Sequence, residues 1–131
     1  MAIMTTFDPD TATVVHHGSG TVYLADILNA MILATRPPIY RPELYSLWEF
    51  SNANLDLFDL KQAREVSSLM QNLADRFKGG AIAVVLRRKV DIGMAKVIMG
   101  FASHLPYRVD IFKDVDEARN WLASQRQPHS E

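Results

Sequence analysis

Six consecutive apolar residues, Ala81-Ile82-Ala83-Val84-Val85-Leu86, stand between Gly79-Gly80 and a basic triplet, Arg87-Arg88-Lys89. A strand with one wet face alternates apolar and polar side chains. An unbroken apolar run of this length fits a strand covered on both faces, as in the middle of a parallel sheet. Parallel neighbours need long crossover connections, usually helical. One short segment therefore commits the flanking chain to helices.

Upstream, Leu60 to Phe77 carries Ala63, Val66, Met70, Leu73 and Phe77 at three-and-four spacing, with Arg64, Glu65, Gln71 and Asp75 outward, which predicts one amphipathic helix ended by Gly79-Gly80. Downstream, Asp91 is in position to cap a helix from Ile92 to about His104. Tyr107 to Phe112 alternates as a half-exposed strand, and Asp114 with Glu117 forms a variant capping box for a last helix buried by Val115, Ala118, Trp121 and Leu122. Nearer the start, Ile3 to Phe7 and Thr11 to His17 read as an antiparallel hairpin about Asp8-Pro9-Asp10. Gly18-Ser19-Gly20 reads as its end, and Thr21 as the cap of a helix from Val22 to about Ala34. Leu44 to Phe50 is a further strand, followed by a loop from Ser51 to Asp59. The order ββαβαβαβα predicts an α/β fold: a mixed, mostly parallel sheet with one antiparallel edge strand, flanked by helices.

With 131 residues, 48% hydrophobic and 22% charged, the chain has the size and composition of one globular domain. That domain is expected to span 1–124, with 125–131 a flexible polar tail. A formal net charge of -1 argues against a nucleic-acid binder, which carries a basic excess. The absence of cysteine excludes disulfides, thiolate metal sites and a cysteine nucleophile, and fits a reducing compartment. Met1 to Asp10 has no basic stretch followed by an apolar core, so it is not expected to be a secretory signal, and no apolar run reaches the ~20 residues of a membrane span. A cytoplasmic protein with no transmembrane segment is the expectation.

The segment Val109-Asp110-Ile111-Phe112-Lys113-Asp114-Val115-Asp116-Glu117-Ala118-Arg119-Asn120-Trp121-Leu122 resembles the closing strand and helix of the SpoIIAA-like family of STAS-type domains. Leu47-Trp48-Glu49-Phe50 is similar to that family's Leu-Trp-Asp strand. Ala81 to Leu86 followed by Ile92-Gly93-Met94-Ala95-Lys96 is similar to its central strand and the helix start after it. The resemblance runs from Ile3 to Ala123 and implies a protein-interaction or ligand-sensing module. The anti-sigma-factor antagonists of this fold carry a phosphorylatable Ser where this chain reads Leu57-Phe58-Asp59-Leu60-Lys61-Gln62, without a hydroxyl. Ser51 lies upstream and Ser67 and Ser68 within the helix, so the phospho-switch is not expected here.

Two constellations stand out. Arg87, Arg88, Lys89 and Asp91, with Lys96 beyond, lie at the C-terminal end of the central strand and the start of a helix, where anions and acidic partners bind; a solvated turn with Asp91 as cap is the competing reading. Met94 and Met99 offer a second apolar surface on the same helix, suited to a homodimer contact or a partner groove, against a helix packed on all sides. Glu49, Asp56 and Asp59 are loop acids that could gather at one sheet end. Adjacent His16 and His17 point to opposite faces of their strand and so cannot share a metal; His104 and His129 are isolated. Gly18-Ser19-Gly20 lacks the Lys and spacing of a phosphate loop, and no cofactor motif is present. The leading expectation is a non-enzymatic interaction module that binds a protein partner or itself. The alternative is a carrier or sensor for a small apolar or anionic ligand held between helix and sheet.

Overall fold

Asp8 closes the first turn: its carboxylate accepts from the Asp10 N–H at 3.0 Å and from the Thr11 hydroxyl at 3.0 Å. The chain thereby reverses between β1 (Ile3–Asp8) and β2 (Thr13–Thr21), which pair antiparallel. In the computed structural model, which describes residues 2–102 and 104–126, the chain continues through α1 (Leu24–Leu33), β3 (Tyr45–Asn54), α2 (Leu60–Asn72), α3 (Ala74–Phe77), β4 (Ala81–Val85), α4 (Lys89–Phe101), β5 (Arg108–Phe112) and α5 (Val115–Arg126). Among the described residues the sheet has five strands in the order β1-β2-β3-β4-β5, with every pair after the first parallel. The mixed α/β sheet with one antiparallel edge strand is therefore as expected, and β4 lies inside the parallel part.

Strand order has a consequence for layering. Right-handed crossovers that always step the same way put every crossing helix on one side of the sheet. The larger core forms on that side, where Val14, Trp48, Phe50, Ile82 and Leu86 meet Ile27 and Met31 of α1, Val66 and Met70 of α2, Phe77 of α3 and Ile98 of α4. Among the described residues the other face is covered by α5 alone, through Ala118 and Leu122 against Val15, Leu47, Ala83 and Val85. Among the described residues no helix is long and apolar enough to cross a membrane.

Several boundaries differ from the sequence reading. Gly18-Ser19-Gly20 does not end β2; the strand passes through them to Thr21, with a register shift between His17 and Ser19. Gly18 is there for close approach, since a Cβ on it would come within 2.6 Å of the Phe50 ring. β3 likewise continues to Asn54, paired with the extended β2, where a loop was expected. α1 starts at Leu24 rather than Val22, capped by Tyr23, whose N–H donates to Asp26 Oδ2 at 2.9 Å. The long helix before Gly79 is broken at Leu73, with no glycine or proline to mark the break. α5 runs through Gln125 and Arg126, which had been assigned to the tail. Arg126 is tied down, donating to the Ala12 carbonyl at 2.7 Å and lying 3.7 Å over the Tyr45 ring. Residues 127–131 of that tail, with His129, lie outside the described residues.

Candidate functional site

The basic end of β4 is organised around a buried carboxylate. Asp91 is 2% exposed and does not cap a helix from outside: α4 begins earlier, at Lys89, with Arg88 at the N-cap position. The Asp91 carboxylate instead accepts from the Leu55 N–H at 3.0 Å and from Arg88 Nε at 2.9 Å. Arg88 also donates to Asp56, and these two hydrogen bonds hold its guanidinium above its ordinary pKa. The cluster braces the β3–α2 connection against α4, and an external anion at this helix start would face the Asp91 and Asp56 carboxylates. Arg87 and Lys89 are exposed beside it.

The other candidate acids do not converge. Asp59 is the N-cap of α2 and accepts from the Gln62 N–H at 2.8 Å. Glu49 alternates with Leu47 onto the α5 side of the sheet and accepts from the Ser51 hydroxyl. Among the described residues no three His, Cys, Asp or Glu side chains gather into a possible metal site.

The opposite side of the sheet holds something different. Period-two alternation turns Val14, His16 and Gly18 of β2 toward the helices, beside Ser46, Trp48 and Phe50 of β3. His16 is completely buried. Its Nδ1 shares a 2.8 Å hydrogen bond with Thr5 Oγ1 of β1, and its ring lies 4.0 Å from that of Trp48, centroid to centroid. The Nε2 atom is buried with no hydrogen-bond partner. Burial, with a lesser contribution from the neighbouring His17, lowers the pKa of His16 to about 3, so the ring is neutral at physiological pH.

His16 lines a cavity of about 100 Å³ between sheet and helices. Trp48 and Phe50 wall it on the sheet side, and Met31, Met70 and Met99 from α1, α2 and α4 on the other. Apart from His16 and the indole of Trp48, Ser46 is the one polar side chain on the lining among the described residues. Met99 also belongs to an outer groove between α4 and β5, where Lys96, Asp110 and Lys113 stand. Of the residues singled out from sequence, Met99 is thus at the cavity and Lys96 at the groove outside it. Met94 is half-buried against the larger core, Asp91 belongs to the Arg88 brace, and Arg87 and Lys89 stand exposed beside it.

His16 was set aside in the sequence reading as half of a non-chelating pair. The signal that could have found it is local: Thr13-Val14-Val15-His16-His17 has no polar alternation before its last residue, so one histidine had to point inward. Chemically the arrangement offers a neutral imidazole with one open nitrogen among apolar walls. With its pKa this low the ring is a poor base at neutral pH, and its unpaired nitrogen has no nucleophile in hydrogen-bond reach among the described residues.

No protein-family model matches the sequence, and no curated protein matches it significantly. Among solved structures, the chain is similar to the crystal structure of an uncharacterized protein of the DUF3478 family with a SpoIIAA-like fold, from Shewanella loihica PV-4. The TM-score is 0.59 at 20% identity, over 92% of each chain. The fold of this chain is SpoIIAA-like.

Proposed function

We propose that this chain is a non-catalytic binding protein that holds a compact, mainly apolar molecule between its sheet and α1, α2 and α4. One observation carries the reading: the void in the larger core is lined by His16, the residue whose buried imidazole nitrogen lacks a partner. Protein interiors are close-packed, and buried polar groups are nearly always paired. Both rules are broken at one place, where a bound molecule would restore both. The cavity of about 100 Å³ is somewhat smaller than the ~150 Å³ that accommodates benzene in an engineered core. Three methionines on its walls give it the means to adjust, since Met is unbranched and adopts alternative rotamers readily.

Self-association through α4 has less behind it, because Met94 and Met99 are half-buried rather than free on the surface. The binding reading is tested with benzene as probe and thermal unfolding as readout. Wild-type protein is expected to gain stability saturably. Ala95→Leu, which grows a side chain from α4 into the void, should fold with a Tm within a few degrees of wild type and lose the response. Equal responses in both proteins, or none in wild type, would overturn the assignment.

A further inference from the structure

Resting on that reading, we propose that His16 sets the class of ligand: a small uncharged alcohol or phenol whose hydroxyl meets Nε2 while its carbon skeleton fills the methionine-lined cavity. The hydrogen bond between His16 Nδ1 and Thr5 Oγ1 leaves the tautomer open, because a hydroxyl can donate or accept. Nε2 is accordingly an acceptor in one tautomer and a donor in the other. Among simple polar groups, a ligand hydroxyl satisfies both cases, whereas an ammonium only donates and a carboxylate or ketone only accepts. Charged groups meet a second obstacle. Among the described residues the lining holds no ionisable side chain other than His16, so an ion would lose its hydration with nothing to replace it. Burial and His17 both oppose the imidazolium that a carboxylate would need as counter-ion.

A wholly apolar molecule would fit the walls but leave Nε2 unpaired, as it is in the empty protein. In a cavity without a polar partner the order reverses, because a buried hydroxyl without a hydrogen bond is penalised and the bare hydrocarbon binds better. The contrast between a ring and its hydroxylated counterpart therefore reads the role of His16 separately from the existence of the cavity.

The experiment uses benzene, phenol and benzoate on the full wild-type chain and on His16→Leu, with affinities from calorimetric titration and the His16 ring nitrogens followed by 15N NMR. Wild type is expected to bind phenol about tenfold more tightly than benzene, with benzoate not bound, and phenol alone should move the Nε2 resonance. In His16→Leu the preference should pass to benzene. Wild type needs no variant to decide the matter. Benzene bound as well as phenol, with Nε2 unmoved, would overturn the role of His16 and leave the cavity reading standing. Benzoate bound more tightly than phenol would refute the uncharged class, and binding of none of the three would remove the cavity reading and this inference together.

Discussion

Enclosing His16 against Trp48 gives the protein a titratable group that is neutral when folded and protonates freely when unfolded. Its folded pKa, about 3, lies below the ordinary value of 6.5, so the unfolded chain binds the proton first as pH falls. The stability associated with the neutral ring is complete above pH 6.5 and is lost as pH drops toward 3, at about 1.4 kcal/mol per pH unit. Between pH 7 and pH 4 this one group should remove roughly 3 kcal/mol of stability. Urea unfolding at the two pH values is expected to give that loss in wild type and a clearly smaller one in His16→Leu; equal losses would mean that other groups govern the acid response. At this scale little of the site was legible. Residue type and strand alternation require one of His16 and His17 to face inward, but only the β1–β2–β3 register chooses His16 and brings Thr5 and Trp48 to it. Met99 was singled out only as part of a second apolar surface on its helix, whereas the void beside it arises from four helices meeting over the sheet, which no local pattern encodes.

Element by element, the sequence reading did best where a single pattern acted and failed where long-range contacts overrode a local one. β4 and the closing β5–α5 unit follow from an apolar run, an alternation and an acidic cap, each set by neighbours in sequence; Asp114 does accept from the Glu117 N–H at 3.0 Å. Gly18 looked like a turn because glycine usually punctuates; it is instead the gap that lets Phe50 lie across β2. Gly18→Ala should therefore cost about 1–3 kcal/mol in chemical denaturation, with Phe50→Leu in the same chain recovering part of it. Full additivity of the two substitutions would rule out this contact as the reason for glycine. Asp91 was mistaken for a cap for a similar reason: its partner, the Leu55 N–H, lies 36 positions away. Asp91→Ala removes the acceptor from a buried N–H and frees Arg88, and should destabilise the fold by about 2–4 kcal/mol. A loss under about 0.5 kcal/mol, typical of surface positions, would show that the brace does not couple α4 to the end of β3.

For the molecule as a whole, sequential parallel strands place α1, α2, α3 and α4 over one face and leave α5 to cover the other. The two faces differ accordingly. On the α5 side the outer strands stay open, with Met4 68% exposed and His17 exposed beside it. On the helical side α1, α2, α3 and α4 share one lining. Class, strand directions and the antiparallel edge were all legible, because they depend on element order; the strand sequence and the asymmetry of the two layers were not, because they depend on which strands become neighbours. The helical layer is proposed to enclose a binding cavity, and 13C-methyl NMR of the methionines during a benzene titration is the decisive measurement. Saturable shifts of Met31, Met70 and Met99 together are expected, with Met4 unmoved. Unmoved cavity methionines, or shifts that rise without saturation at Met4 as well, would contradict it.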